Sequence, residues 1–194
     1  MRKAGSLAVL LAIICGIFAW RESGDAPTPP AAEPSLLTTS EIIATSTQDF
    51  VPVIRDIDGD TIVVLVQGAT TTVRLLGVDT PETVDPRKPV ECFGPEASAE
   101  TKKLVDGQLV RLLPDPSQGA KDKYGRALAY VYLEDGTLFD EFLIAQGYGH
   151  EYTYKTPYEY QSEFKAAQAK AQKEQLGLWS PTTCAGKTGV TSAR

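Results

Sequence analysis

Residues 61–78 read TIVVLVQGATTTVRLLGV. Two runs dense in β-branched and aliphatic side chains, 61–67 and 71–78, flank Gly68 and Ala69, where the chain turns. Branched side chains suit a pleated, half-buried surface, so both runs read as strands and the second returns beside the first. Upstream, 50–56 reads as another strand, separated from 61–67 by the turn signal Asp58-Gly59-Asp60. Downstream, 80–93 is a long loop containing prolines. Residues 95–105 then read as a helix, with Pro95 at its start and Gly107 just past its end. Two more strands follow, at 108–113 and 126–133. A short amphipathic helix at 138–146 is stopped by Gly147, and a longer helix at 158–176 ends at Gly177. Five short strands with one intervening helix fit an α+β fold, a five-stranded OB-type Greek-key barrel carrying three helices. No internal repeat is present.

The flanks have a different character. Arg2 and Lys3 precede an apolar run at 4–20 that is closed by Arg21 and Glu22. A basic start followed by a short apolar stretch reads as an export signal, and its length also admits an uncleaved membrane anchor. Residues 1–23 are therefore expected to be a signal peptide or N-terminal anchor. Residues 24–48, rich in Pro, Ala, Ser and Thr, bury little and read as a linker. The folded domain is expected over 49–180 and a tail over 181–194. This places the domain outside the cytoplasmic membrane, secreted or tethered.

The chain has 194 residues, a formal net charge of -6 and a single histidine, His150. One histidine excludes a catalytic histidine pair and a His-rich zinc cage. The three cysteines, Cys15, Cys92 and Cys184, form no CxxC, so any metal should be a hard cation held by oxygens. The acidic balance argues against tight stoichiometric nucleic-acid binding, which draws on a basic field, but leaves room for a local basic cleft.

Three clusters carry chemistry: Asp58-Gly59-Asp60-Thr61 at a turn, RLLGVDTPE at 74–82, and DKYGR at 122–126. Hydrolysis of a phosphodiester needs fixed positive charge where charge develops on the phosphoryl oxygens. It needs forked donors for those oxygens, and a carboxylate to activate or position water. The clusters supply Arg74 and Arg126 as phosphate clamps, Asp60 and Asp79 as hard ligands, and Glu82 as the base. Period-two alternation puts Arg74 and Leu76 on one strand face. Singly, each of these residues is an ordinary turn or surface group; together and in this order they are specific.

From about Val53 to Ser180 the chain resembles the thermonuclease family, of which staphylococcal nuclease is the best-known member. The likeness rests on IDGDT at 57–61, RLLGVDTPET at 74–83, GPEAS at 94–98, TKKLV at 101–105, DKYGRALAYVY at 122–132 and GLWS at 177–180. It implies an OB-fold nuclease acting on DNA or RNA as a monomeric catalytic domain with one calcium ion. By position, Asp60, Asp79 and the Thr80 carbonyl correspond to calcium ligands, and Glu82 to the general base or water-positioning group. Arg74 and Arg126 correspond to the phosphate-binding arginines, and Lys123, Tyr124, Tyr152 and Tyr154 to substrate contacts. The loop 84–92 and the spacing after Tyr154 depart from the family pattern, which bears on substrate choice. The alternative, a non-catalytic OB module that binds nucleic acid or protein, is disfavoured because every matched catalytic position is intact.

Cys92 and Cys184 are the two cysteines of the folded region and its tail. In an exported protein an unpaired thiol is disfavoured, so a Cys92–Cys184 bridge is expected, with two separate thiols as the alternative. Stacking on nucleobases is expected of Tyr124 and of at least one of Tyr152 and Tyr154. Packing is expected of Tyr158 and Tyr160, and a local structural or surface role of His150. Lys165, Lys170 and Lys173 read as a solvated helix face.

Overall fold

The computed structural model describes residues 50–189. Five strands close a barrel in the order β1 (Phe50–Asp58), β2 (Thr61–Val66), β3 (Ala69–Leu75), β6 (Ala127–Leu133), β5 (Leu109–Leu113). All pairings are antiparallel except β3 with β6, which is parallel. This is the expected barrel. A separate two-stranded ladder joins β4 (Val78–Asp79) to β7 (His150–Glu151). Three helices surround the strands: α1 (Gly94–Val105), α2 (Phe139–Ala145) and α3 (Gln161–Glu174). Among the described residues no helix is long and apolar enough to cross a membrane. The apolar run 4–20 and the linker 24–48 lie outside the described residues.

The core follows from the strand pattern. β2 is buried along nearly its whole length. Ile62, Val64, Leu75 and Leu112 are fully enclosed, each contributing about 1.5–3 kcal/mol of apolar burial. α1 runs against β1, and its Thr101 hydroxyl donates to the Gly59 carbonyl at 2.6 Å, anchoring the β1–β2 turn.

Two elements differ from the sequence reading. The strand expected over 71–78 is broken: β3 ends at Leu75, Gly77 takes φ +73°, and Val78 and Asp79 leave the barrel to pair with β7. The rings of Tyr158 and Phe164 press on Gly77, where a Cβ would come within 2.8 Å of both. Alternation therefore fails past Leu75, and Leu76 joins the core while Arg74 faces the cleft. The last helix is shorter than 158–176. The buried Tyr158 forms part of its approach, and Gln175 ends it in the left-handed region. Gly177 serves instead in a close meeting with Gly147. The Leu178 N–H donates to the Gly147 carbonyl at 2.9 Å, and a side chain at either glycine would overlap the main chain beside the other.

Candidate active site

The β1–β2 turn delivers Asp60 to the register where Thr61 faces Arg74. The Leu75 N–H donates to the Asp60 carbonyl at 2.9 Å, tying the turn to β3. Parallel pairing sets Val73 against Ala127, which brings Arg126, at the entry to β6, alongside Thr72 and Arg74. The exit from β3 through Gly77 then swings Asp79, Thr80 and Glu82 to the same side. Asp60, Arg74, Asp79, Thr80, Glu82 and Arg126 line one open cleft of about 310 Å³.

Arg74 is nearly sequestered. Its Nη1 lies 3.0 Å from Asp60 Oδ2 and donates to the Val78 carbonyl at 2.7 Å, and its Nη2 meets Asp79 Oδ1 at 2.7 Å. Asp60 Oδ2 also accepts the Thr80 N–H and hydroxyl at 2.9 and 3.1 Å. Arg126 is aimed by Asp122, whose Oδ2 takes its Nε–H at 2.6 Å, and Nη1 reaches the Thr61 hydroxyl at 3.4 Å. Holding a guanidinium by one edge fixes its plane and leaves the other edge for an incoming anion.

Glu82 Oε1 accepts the N–H groups of Val84 and Asp85 at 2.8 and 3.1 Å. Burial acts to raise its carboxyl, but these main-chain donors prevail and hold it below the usual glutamate range. Its neighbour Asp58 goes the other way. Burial, with Asp60 and Glu82 nearby, pushes Asp58 up to about 6, against its bonds from the Thr83 hydroxyl and the Gly59 N–H. Of the two, Asp58 holds a proton more readily.

Five carboxylates (Asp58, Asp60, Asp79, Glu82, Glu91) face three cationic side chains (Arg74, Lys88, Arg126) around the cleft. The local excess of negative charge and the all-oxygen donor set fit a hard divalent cation. Among the described residues no three His, Cys, Asp or Glu side chains gather as a self-sufficient metal cluster. Asp60 and Asp79 would therefore need a main-chain oxygen, water or substrate to complete a shell.

The other expected contacts stand apart from this cleft. Tyr124 lines an adjoining trough that shares Thr72 and Arg126 with it. Lys123 Nζ lies 4.9 Å from the Tyr124 ring centre, and Arg126 Cζ lies 5.4 Å from it. Tyr152 and Tyr154 are exposed neighbours with ring centres 6.4 Å apart. His150 is turned edge-on against Trp179 at 4.8 Å, and burial lowers its pKa. Tyr158 donates to Glu151 at 3.0 Å, and Tyr160 stacks on Phe164. Sequence reasoning did not assign roles to Asp58, Glu91 or Asp122. The proximity of Asp58 and Asp122 to the motif residues was the one signal available.

A closed barrel that gathers two guanidiniums and acidic oxygens at one cleft brings together the groups that a phosphodiester hydrolase needs. The family model described as staphylococcal nuclease homologue matches residues 72–181. The chain is 46% identical over 128 residues to a thermonuclease of Staphylococcus hyicus, covering 66% of this chain and 74% of that protein. It is 46% identical over 125 residues to a thermonuclease of Staphylococcus intermedius, covering 64% and 73%. It is 41% identical over 127 residues to the endonuclease YncB of Bacillus subtilis (strain 168), covering 65% and 59%. This chain belongs to the staphylococcal nuclease homologue family, whose enzymes are generally metal-dependent nucleases.

Proposed function

We propose that this protein is a calcium-dependent nuclease that cleaves DNA, RNA or both outside the cytoplasm, as a monomeric catalytic domain. The observation that carries the reading is the convergence of Arg74, Arg126, Asp60, Asp79 and Glu82 on one cleft built from a single chain. Asp60, Asp79 and the Thr80 carbonyl would hold the calcium ion, which would supply Lewis-acid stabilisation of the phosphoryl oxygens. Arg126, with one edge held by Asp122, presents its free edge to a phosphoryl oxygen. Arg74 exchanges part of its pairing with Asp60 and Asp79 for the phosphate, and the geometry of both forks favours a trigonal, charge-rich centre. Glu82, kept ionised by main-chain donors, orients the attacking water through its remaining oxygen. Lys123, Tyr124, Tyr152 and Tyr154 form an outer rim for backbone and bases, where stacking is indifferent to sequence.

The location is inferred from residues 1–23, read as signal or anchor, and 24–48, read as a spacer ahead of the domain. The Cys92–Cys184 bond supports it, because such bonds persist in oxidising compartments. Incubating the full chain with DNA and RNA, with calcium and with a chelator, tests the activity. Cleavage in calcium and loss on chelation are expected. Binding without cleavage would establish the non-catalytic module instead, and full activity after exhaustive chelation would remove the metal. Fractionation of cells expressing the full chain tests the location, which recovery in the cytoplasm would refute.

A further inference from the structure

The loop that follows Glu82 is closed at its base by a clasp between two glutamates. The Glu91 N–H donates to the Glu82 carbonyl at 2.9 Å, and the Glu82 N–H donates to Glu91 Oε2 at 3.1 Å. The peptide of Glu82 is thus held on both sides by one residue nine positions away. The next residue, Cys92, is bonded to Cys184, with Cα atoms 6.0 Å apart. Its N–H also donates to the Thr188 carbonyl at 3.0 Å. The segment around Cys184 is itself anchored: Ala185 N–H donates to the Ser180 carbonyl and Gly186 N–H to the Leu178 carbonyl, at 2.9 and 2.8 Å. Behind the clasp, α1 begins so close to Pro81–Thr83 that a Cβ on Gly94 would come within 2.7 Å of Thr83 Cγ2 and 3.0 Å of the Pro81 carbonyl. No strand ladder holds Glu82; one main-chain bond and one side-chain bond from Glu91 do, with a covalent tie at the next residue.

We propose that Glu91 is a positioning residue for Glu82 and that the Cys92–Cys184 bond keeps this clasp shut, making segment 180–188 part of the catalytic apparatus. The proposal rests on the reading of Glu82 as the group that orients water. Glu91 acts through its oxygen as an acceptor for one N–H, a task that does not require the charge it adds to the cleft. Breaking the tie takes two electrons and two protons from an external dithiol, which becomes a disulfide and leaves two thiols in the protein. Loss of either part lets the Glu82 peptide wander, and misplacement by about 1 Å costs up to a hundredfold in rate.

The test uses the full chain as wild type, Glu91→Ala, Glu91→Gln and Cys92→Ala/Cys184→Ala, and wild type after dithiothreitol. All are assayed well below their melting temperatures, with the folded fraction measured by near-ultraviolet circular dichroism. The readouts are kcat, KM, the half-saturating calcium concentration, and hydrogen exchange at the Glu82 amide without metal. For Glu91→Ala, kcat should fall about tenfold with KM unchanged, and Glu82 exchange should quicken. Glu91→Gln should return kcat to within about twofold, because its amide oxygen accepts the same N–H. The cysteine variant and the reduced enzyme should reproduce the Glu91→Ala pattern, and Glu91→Ala combined with Cys92→Ala/Cys184→Ala should be no worse than either, as one shared element requires. Glu91→Gln as poor as Glu91→Ala, with a shifted calcium response, would overturn the proposal in favour of a charge effect at the metal. Wild-type kcat in Glu91→Ala, or a loss that merely follows the folded fraction, would overturn it outright. If the cysteine variant does not fold, the two Glu91 variants and the reduced enzyme decide. Glu82→Ala run beside them keeps the parent reading separate: wild-type turnover there would sink the role of Glu82 itself.

Discussion

Arg74 stands on β3 and Arg126 at the entry to β6, on strands whose main chains bond each other in parallel register. Glu82 and Glu91 stand on a loop whose shape depends on side chains: Asp58 holding Thr83, Glu91 holding Glu82, and Cys184 holding Cys92. The two walls of the cleft thus carry different tasks on different kinds of support. Stabilising a charged phosphoryl centre needs donors that do not move as charge develops, and a ladder provides this. The water-orienting role proposed for Glu82 falls on the loop wall, just before the stretch 84–92 that departs from the family pattern. Damage to the strand wall should therefore strike chemistry and stability separately, whereas damage to the hydrogen bonds of the loop wall should strike turnover with little change in melting temperature.

The sharpest break comes at the strand wall. Arg126→Lys keeps a charge but loses the planar fork that Asp122 aims. Turnover should fall about a hundredfold or more, with the melting temperature nearly unchanged. Steady-state kinetics within a few-fold of wild type would reduce Arg126 to a surface group.

At the loop wall, Glu82→Gln and Glu82→Asp separate proton abstraction from positioning. The Val84 and Asp85 N–H groups hold the Glu82 carboxyl low, which makes it a weak proton acceptor. Both variants should lose turnover to a similar degree, about tenfold to a hundredfold. Parallel kcat measurements that show Gln far worse than Asp would assign the proton to Glu82. One shell further out, Thr83→Val removes the 2.7 Å bond to Asp58 while keeping the side chain's shape. A loss of about tenfold or less in kcat, with KM unchanged, is expected; an unaltered kcat would show that the Asp58 brace is idle.

The smallest effect lies under the strand wall. Asp140 is fully buried in α2, its Oδ2 accepts the Val131 N–H of β6 at 2.8 Å, and its Oδ1 has no partner. Burial pushes it up to about 8, against the pull of the Val131 N–H. The folded state then keeps a proton that the unfolded chain sheds above about pH 4. The stabilising contribution is complete below that pH and is lost as the pH rises through about 8. Asp140→Asn should flatten this decline and gain on the order of 1–2 kcal/mol at pH 9, with kcat unaltered. Denaturant titrations that show the same loss of stability from pH 5 to pH 9 in both proteins would contradict it.

These differences also mark what sequence could reveal. The barrel was legible because its strands announce themselves locally, through β-branched runs punctuated by Gly68 and Asp58-Gly59-Asp60. The cleft was legible where its residues sit in contiguous motifs. What was hidden depends on distant partners. The break at Gly77 is driven by Tyr158 and Phe164, more than eighty residues downstream. Thr83 and Asp58 meet across 25 positions, and Glu91 lies in the stretch whose composition departs from the family pattern. Alternation alone could not place Leu76, because it presumes a strand that the packing of α3 interrupts.

Gly147 and Gly177 meet with no side chain between them. Most crowded pairs in a core can drift through evolution, one partner shrinking as the other grows. Here neither can shrink, since nothing is smaller than glycine, so a substitution at one cannot be rescued at the other. A side chain at either position has to displace main chain, so a selection experiment that randomises both positions should return glycine at each.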